Sequence, residues 1–214
     1  MYKKKSIFVT FEGIEGSGKS FQSKKLFKNI KKIGINPILT REPGGSKSAE
    51  EIRKIILTGS KNKFSKVTDT LLYLAARNEH IEKLLKPSIL KKKIIICDRF
   101  TDSTIAYQVH GKSVSRFLVK NIHNHILDKV KPDLTFVMKV SINKAFQRLK
   151  KRKHMNRYDK LSRSFYKKVQ SSFISLAKKN KKRYVVLDNS DDSNKVEKII
   201  LARFLKLLNN DKKN

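Results

Sequence analysis

Residues 6–20 read SIFVTFEGIEGSGKS, a β-branched and aromatic run that leads into a glycine-rich segment. The run at 6–11 is typical of a strand, and residues 21–33 repeat apolar side chains with a helical period. Between them, residues 13–20 match the pattern GxxxxGK[ST] without deviation. A strand, a glycine-rich turn and a helix in this order predict a phosphate-binding loop.

The chemistry of this loop follows from its residue types. Glycines allow successive backbone N–H groups to turn toward one centre, and the positive end of the following helix adds to the attraction for an anion. Lys19 is placed to reach the β- and γ-phosphates of ATP, and the Ser20 hydroxyl to hold Mg²⁺. The alternative, a glycine-rich turn that binds nothing, is disfavoured because motif and context agree. The expected ATP-binding residues are Gly13, Glu15, Gly16, Ser17, Gly18, Lys19 and Ser20.

Strand and helix patterns alternate along the rest of the chain. Strands are predicted at 37–40, 93–97, 133–140 and 184–187, and helices at 48–57, 67–85, 114–130, 142–151, 161–176 and 196–208. Pro87 is expected to end the second of these helices, and residues 209–214 to be frayed. The pattern predicts an α/β fold of one domain, 1–214, with a P-loop NTPase-like, parallel five-stranded sheet and helices on both faces.

The composition limits the classes of function. The chain has 51 Lys and Arg against 18 Asp and Glu, a net charge of +33. Such charge attracts polyanions, but it is spread over the chain and lysines outnumber arginines, whereas bidentate phosphate and base readers are mostly arginines. Nucleic-acid binding is therefore expected to be at most incidental.

Other features bear on location. No apolar run approaches the roughly 20 residues of a membrane span, and the start of the chain does not read as a signal peptide. The single cysteine, Cys97, excludes an internal disulfide and suits a reducing compartment. We expect a cytoplasmic protein without a membrane partner.

Ligands of parallel α/β sheets bind beyond the carboxyl ends of the strands. Besides the phosphate-binding loop, two segments interpreted as loops lie there, 41–45 and 98–108. Asp98 could hold Mg²⁺ directly or through water, and Arg99 could clamp a phosphate. The alternative for this pair is a salt bridge at the end of a strand. The neighbouring phosphate loop favours the functional interpretation.

Five segments together resemble the thymidylate kinase (dTMP kinase) family. They are FEGIEGSGKS at 11–20, TREPGG at 40–45, LLYLAARNEHI at 71–81, DRFTDSTIAYQ at 98–108 and, more weakly, PDLTFVMKV at 132–140. They occur in family order over nearly the whole chain. The resemblance implies phosphorylation of dTMP to dTDP with Mg²⁺ and ATP, a homodimer, and ATP and dTMP as small-molecule partners.

The resemblance also implies residues for the phosphate and sugar of dTMP. Glu15 would face the 3′-hydroxyl, and Arg53 and Arg99 would bind the phosphate. Tyr107 would pack under the deoxyribose, where it could exclude a 2′-hydroxyl.

Further residues are implied for the base. Tyr73 stands where the family usually stacks Phe on thymine, and Arg77 would hydrogen-bond a thymine carbonyl. Ser103 and Thr104 would line the same pocket, with Thr104 reading N3, and Gln108 would be a neighbouring polar contact. Independently, Tyr73 and Arg77 are four residues apart and share a helix face. Simple core packing is the alternative for Tyr73, on a helix whose apolar stripe we assign to Leu72, Ala75, Ala76 and Leu84.

The basic stretch at 148–158, here called the lid segment, lies between two predicted helices. Mobile cations that close over a transferring phosphate stabilise its charge and exclude water. The predicted catalytic set is therefore Lys19, Arg99, Arg152 and Arg148. A solvated charge run is the alternative. Compared with the family pattern, the segment departs at Lys153, Asn156 and Asp159, and Lys139 replaces a usual Asp.

Rival functions are a nucleoside kinase with Glu42 as base and a P-loop nucleic-acid-binding protein. The first would have to activate a neutral hydroxyl, and the second would need a continuous basic stripe with aromatics, which we do not find. His123 and His125 diverge on a predicted helix and are expected at the surface. The apolar face of 114–130 is compatible with either a dimer contact or a buried core.

Overall fold

The computed structural model describes residues 5–60, 62–191 and 194–213, and within them five strands form one sheet. The strands are β1 (Ile7–Glu12), β2 (Ile38–Arg41), β3 (Ile94–Asp98), β4 (Leu134–Lys139) and β5 (Tyr184–Asp188). Their order is β2-β3-β1-β4-β5, and every pairing is parallel. This confirms the predicted α/β fold.

Helices connect the strands. They are α1 (Lys19–Lys32), α2 (Lys47–Leu57), α3 (Lys66–His80), α4 (Lys86–Leu90), α5 (Thr101–Thr104), α6 (Arg116–Leu127), α7 (Ile142–Lys150), α8 (Arg163–Lys179) and α9 (Lys195–Lys213), with π-helical segments at Ile81–Leu85 and Ile105–Gly111. Ser46, Ser65, Ser115, Ser141 and Ser162 cap the N-termini of α2, α3, α6, α7 and α8 through their side chains.

The central strand β1 is buried along its whole length. Val9 and Phe11 pack in a core with α1 and α9, whereas Phe8 packs on the opposite face with Phe100. Each of these side chains stabilises the fold by about 1.5–3 kcal/mol through burial. Because β1 is anchored from both faces of the sheet, the phosphate-binding loop that follows it directly starts from a fixed position.

The prediction that Pro87 ends a helix is wrong. The chain continues from α3 through the π-helical segment into α4, and Pro87 lies in the first turn of α4. The π-helical turn directly before Pro87 departs from the i→i−4 hydrogen-bonding pattern, with which a proline is incompatible.

The prediction that 98–108 is a loop is also wrong beyond Phe100. Residues from Thr101 to Gly111 are helical, and Thr104, Tyr107 and Gln108 are buried. Tertiary packing outweighs the low helix propensity of this threonine- and isoleucine-containing stretch.

Two smaller predictions also fail. In the stripe predicted for α3 and the turn after it, Leu72, Ala76 and Leu84 are buried or partly buried as expected, but Ala75 is exposed and Leu74 is buried instead. At the chain end, α9 extends to Lys213 rather than fraying from residue 209, whereas position 214 lies outside the described residues.

Candidate active site

A cavity of about 550 Å³ lies beyond the carboxyl ends of β1, β2 and β3. Pockets of this size suit nucleotide-sized ligands. Its wall includes every residue that the sequence suggested for the acceptor, namely Glu15, Arg53, Tyr73, Arg77, Arg99, Ser103, Thr104, Tyr107 and Gln108. Lys19, Ser20, Asp98 and Arg152 line the same cavity.

The phosphate-binding loop depends on glycine at points of close approach. Gly16 and Gly18 have φ of 73° and 85°, in the left-handed region. A Cβ on Gly16 would lie 2.5 Å from the Ala145 carbonyl oxygen, and one on Gly18 would lie 2.2 Å from Nδ2 of Asn189. Neither position can carry a side chain without moving its neighbour.

Side chains hold four carbonyl oxygens of this loop. The donors are Arg99 to Gly13 (2.9 Å), Lys19 to Ile14 (3.1 Å), Arg148 to Gly16 (3.1 Å) and Asn189 to Ser17 (2.8 Å). With these four carbonyl oxygens engaged, the loop offers mainly N–H groups to a ligand, although the Ser17 N–H donates to the Ile14 carbonyl oxygen (3.2 Å). This arrangement suits an anion.

Lys19 is buried at the start of α1. Burial, together with the charges of Arg99 and Arg152, lowers the pKa of its ammonium group to about 8, although Asp98 and Glu15 act in the opposite direction. The ammonium group is therefore a cation poised close to neutral pH in the absence of phosphate.

Ser20 and Asp98 form a polar pair at the edge of the cavity. The Ser20 hydroxyl donates to Oδ2 of Asp98, and Oδ1 of Asp98 is buried without a hydrogen-bond partner among the described residues. The described part of the chain contains no group of three or more His, Cys, Asp or Glu side chains that could hold a metal alone. The pair thus fits Mg²⁺, which usually binds one or two protein oxygens plus phosphate oxygens.

Arg99 follows β3 with a positive φ of 73°, and a dense set of contacts holds it there. Its guanidinium donates to Glu15 Oε1 (2.8 Å) and to Ser103 Oγ (3.1 Å), and lies over the Tyr107 ring, 5.0 Å from its centre. Burial lowers the pKa of Arg99, but Tyr107 and Glu15 outweigh this and raise it. Arg99 is a permanent cation in the cavity wall.

Glu12 stabilises the turn that follows Arg99 through two hydrogen bonds. Its carboxylate accepts from the Phe100 N–H (2.8 Å) and from Ser103 Oγ (2.6 Å). Sequence reasoning missed this residue, because a glutamate at the end of a buried strand is unusual only once its partners are known.

Glu15 is held as a carboxylate. Its two oxygens accept from Arg99 and from the Tyr107 hydroxyl. Burial raises the pKa of Glu15, but Arg99, Lys19 and Tyr107 together bring it below the ordinary value. An ionised acceptor is therefore fixed between the loop and the rest of the cavity.

Arg77 is buried, and all three of its nitrogens have partners. Nε donates to Glu42 Oε2 (2.8 Å), Nη1 to Thr104 Oγ1 (2.6 Å) and Nη2 to the Phe100 carbonyl oxygen (2.9 Å). Nη1 also lies 2.8 Å from Nε2 of His123. The prediction that His123 is a surface residue is therefore wrong, whereas His125 is exposed.

Tyr73 both packs and lines the cavity, so the two interpretations of this residue are compatible. Its ring meets that of Tyr158 edge to face, with centres 5.7 Å apart. Tyr158 also packs against Tyr107, at 6.4 Å. Tyr158, in the lid segment, is an aromatic residue of the cavity wall that no sequence motif indicated.

Arg53 reaches the cavity from α2. Its Nη1 donates to the Pro43 carbonyl oxygen (2.6 Å), and Nε lies 4.0 Å from Glu50. Glu50 in turn accepts from the Gly45 N–H (3.0 Å). These contacts join the segment 41–45 to α2, and together the two hold the guanidinium group of Arg53 at the cavity.

The two arginines predicted for the lid segment lie in different places. Arg148, in the last turn of α7, donates to the loop carbonyl of Gly16 and to that of Asn189 (2.9 Å). Arg152 lines the cavity and donates to Asp159 (2.8 Å). Lys153 beside it is exposed, as expected for a solvated charge run.

Other contacts account for departures noted in the sequence. Asp159 is buried and accepts from Arg152 and from the Asn156 N–H (3.0 Å). Lys139 forms an exposed ion pair with Asp188 at 3.2 Å, joining the ends of β4 and β5. Asn189 directly follows β5, so the rule that ligands lie beyond strand ends could have identified it.

Comparisons with known proteins agree with this geometry. The model of the thymidylate kinase family matches residues 11–200. The thymidylate kinase of Mycoplasma capricolum subsp. capricolum is 38% identical over 213 residues, covering 97% of this chain and 99% of the relative. That of Wolbachia pipientis wMel is 40% identical over 190 residues, covering 88% and 93%. The crystal structure of thymidylate kinase from Ehrlichia chaffeensis has a TM-score of 0.75 at 34% identity, covering 95% of this chain and 99% of its own.

Proposed function

Because the chain belongs to the thymidylate kinase family, we propose that it transfers the γ-phosphate of ATP to dTMP and releases dTDP and ADP. The observation that carries the proposal is a single cavity that joins the phosphate-binding lysine, Lys19, to the nine residues expected for dTMP.

The donor half consists of the loop at 13–20. Its N–H groups and Lys19 would hold the β- and γ-phosphates, since the loop carbonyls are engaged by side chains. Arg148 contributes by tying Gly16 to Asn189, whereas Arg152 reaches the cavity and would meet the transferring phosphate.

The acceptor half lies around Arg99. Arg99 and Arg53 would bind the dTMP phosphate, and Glu15 would accept from the 3′-hydroxyl of the sugar. Tyr107, whose hydroxyl is held by Glu15, would pack against the deoxyribose. Ser103 would complete this part of the wall.

Within the acceptor half, the base would lie near Tyr73, Arg77, Thr104 and Gln108. Tyr73 presents an aromatic ring for stacking. Thr104 and Gln108 supply polar groups, and the fixed Arg77 adds positive charge next to the thymine carbonyls.

The chemistry needs little acid or base assistance. An oxygen of the dTMP phosphate is already anionic near neutral pH, so it can attack the γ-phosphorus while the bond to the ADP oxygen breaks. Catalysis then consists of alignment and charge neutralisation by Lys19, Arg99 and Arg152.

A magnesium ion would neutralise further charge on the phosphate oxygens when bound. Ser20 and Asp98 would hold it, and the unpartnered Oδ1 of Asp98 supports this assignment. Conversion of Asp98 to Asn should therefore raise the Mg²⁺ concentration that gives half-maximal activity.

The structure disfavours the nucleoside kinase alternative. Glu42, its candidate base, is bound through both carboxylate oxygens, by Arg77 and by His80 (3.0 Å). Burial raises the pKa of Glu42, but Arg77 and His80 bring it below the ordinary value. A carboxylate held in this way is a weak base for a neutral hydroxyl.

Assembly and location belong to the same proposal. Large apolar side chains are exposed on α3 and α6, namely Val67, Leu71 and Phe117, and this face would form a homodimer.

No helix in 5–60, 62–191 or 194–213 is long and apolar enough to cross a membrane. With its one buried thiol, Cys97, the enzyme is proposed to act in the cytoplasm, with nucleic acid as an incidental ligand at most.

A coupled ADP-release assay tests the function. Mg-ATP is supplied with dTMP, dUMP, UMP, CMP, AMP or thymidine in parallel reactions. Strong preference for dTMP is expected, because Tyr73, Arg77, Thr104 and Tyr107 form the acceptor wall. Turnover of thymidine in place of the monophosphates, or ATP hydrolysis stimulated by nucleic acid alone, would contradict the proposal.

A further inference from the structure

His123 was expected at the surface, but the structure places it in the interior beside Arg77. It lies on α6 and is 7% exposed, and its Nε2 is 2.8 Å from Nη1 of Arg77. Burial and the charge of Arg77 lower the pKa of His123 to about 3, although Glu42 acts in the opposite direction. The ring is therefore neutral near pH 7, and Nε2 accepts a hydrogen bond from the guanidinium while Nδ1 carries the proton.

The same guanidinium nitrogen serves a second acceptor. Nη1 has two hydrogens, and the other is directed to Thr104 Oγ1 at 2.6 Å. Glu42 and the Phe100 carbonyl oxygen hold Nε and Nη2. His123 accepts the remaining hydrogen of Nη1. With this acceptor in place, every nitrogen of the buried guanidinium has its partners in the present orientation, and Arg77 gains nothing by turning away from Thr104.

Thr104 is the member of this set whose hydroxyl would contact the base, although Arg77 and Glu42 also line the cavity. Its side chain lines the cavity beside Tyr73 and Gln108. Because Oγ1 accepts from Arg77, the hydroxyl proton is left to be donated to another group, such as a carbonyl oxygen of a pyrimidine base.

We propose that His123 is a positioning residue for substrate: through Nη1 of Arg77 it orients the Thr104 hydroxyl that contacts the base of the nucleoside monophosphate. This inference rests on the proposed function. It assigns a substrate-binding effect to a side chain on α6 that belongs to none of the segments carrying the family resemblance.

Removal of the acceptor should weaken binding of the base. In His123→Leu, one N–H of a buried guanidinium loses its partner, and Arg77 can satisfy it only by turning away from the present geometry. In His123→Gln, the side-chain amide oxygen reaches about as far as Nε2 and can accept the same bond. His123→Asn is one bond shorter and cannot.

The experiment compares steady-state kinetics of the full chain and four variants, with dTMP and Mg-ATP varied in turn. His123→Leu and His123→Asn are expected to raise the KM for dTMP about tenfold, with kcat and the KM for ATP changed less than about twofold. His123→Gln should stay within about threefold of the original KM. His125→Leu is the matched control, exposed on the same helix, and should behave as the unmodified chain.

Two results would overturn the inference. One is an unchanged KM for dTMP in His123→Leu or His123→Asn. The other is an equal rise in the KM for dTMP and for ATP, which indicates general structural damage. If His123→Leu does not fold by circular dichroism, the contrast between the Gln and Asn variants decides the matter. If the unmodified chain phosphorylates no monophosphate, the proposed function itself fails, which is a different result from active enzyme with insensitive variants.

Discussion

Lys19 shows how one side chain in this cavity depends on its neighbours. It is buried between two cations, Arg99 and Arg152, and two carboxylates, Asp98 and Glu15. The burial and the two arginines together outweigh the carboxylates, so the ammonium group gives up its proton more readily than an exposed lysine. Binding of a phosphate would reverse this balance by adding negative charge.

A pH dependence follows from this environment. Under the proposed function the charged form of Lys19 would bind ATP, and the pKa of about 8 belongs to the ligand-free protein. The protonated fraction falls as pH rises through 8, so kcat/KM for ATP should fall above about pH 8. The kcat measured at saturating ATP should fall at a higher pH, because bound phosphate raises the pKa.

The Lys19→Arg variant is the control for that profile. Arginine stays charged to above pH 12, so the variant should be slower but should lose the decline near pH 8. If kcat/KM for ATP declines at the same pH in both proteins, the ionisation belongs to a group other than Lys19.

At this scale the sequence predicted which side chains meet but not what holds them. Tyr73, Arg77 and Thr104 line one cavity, as their motifs indicated. The partners of Arg77 come from separate segments, at Glu42 and His123, and helical spacing on α6 gave no indication that His123 points inward. Long-range pairing of this kind depends on the packing of whole elements.

The lid segment combines a fixed end with an exposed middle. Arg157, Tyr158 and Asp159 are buried, whereas Lys151 to Met155 are exposed. Arg152 belongs to the exposed part and donates a hydrogen bond to the buried Asp159. The element is therefore suited to keep one arginine close to the cavity while the lysines around it remain in solvent.

Replacement of Arg152 tests that arrangement. Arg152→Ala should lower kcat about 100-fold or more with a smaller change in the KM for dTMP, because a cation that meets the transferring phosphate acts mainly in the transition state. Single-turnover phosphoryl transfer measures the step directly. Lys153→Ala, next to it and exposed, should change kcat by less than about twofold, and equal losses in both variants would indicate a general charge effect.

The fixed end of the lid segment is attached to α3 through Asp69. This fully buried carboxylate accepts from Arg157, from the Tyr158 hydroxyl and from Lys112 (2.6 Å). Arg157 and Tyr158 belong to the lid segment and Lys112 directly follows the second π-helical segment, so Asp69 joins α3 to both.

Asp69→Asn should therefore destabilise the fold by about 3–5 kcal/mol, because it leaves buried cations without a counter-charge. Urea unfolding measures the free energy of unfolding. Glu51→Gln, at an exposed position on α2, should change it by no more than about 0.5 kcal/mol. A loss below about 1 kcal/mol in Asp69→Asn would show that solvent reaches the cluster.

Element types were predictable where apolar periodicity was strong, as in β1 and α8. The two π-helical segments were not, because a π-turn is set by how side chains such as Leu85 and Tyr107 pack rather than by local propensity. Both π-helical segments flank the cavity, so the elements that the sequence did not predict are next to the candidate active site.

Considered as a whole, the molecule is strongly basic, and neighbouring helices α3 and α6 expose large apolar side chains. Phe117 is 74% exposed on α6, and Val67 and Leu71 are exposed on α3, which packs against α6. A net charge of +33 repels a second copy, so burial of apolar area on this face must outweigh that repulsion for a dimer to form.

Phe117→Glu should convert the proposed dimer to a monomer, because it places a charge at the centre of the contact. Sedimentation velocity at moderate salt measures the change. Leu90→Glu introduces the same charge at another exposed apolar position, on α4, and should leave the dimer intact. A protein that is monomeric without any substitution would contradict the proposed assembly.

The hydrogen bond from Asn189 to the Ser17 carbonyl oxygen spans 172 residues of chain. During synthesis, the loop at 13–20 leaves the ribosome early, whereas the amide that completes it follows roughly 10–30 s later at typical elongation rates. A nascent chain or a truncated product that ends before β5 therefore carries the whole sequence motif without its completed nucleotide site. We therefore expect the polypeptide to bind ATP only after the residues beyond β5 have been made.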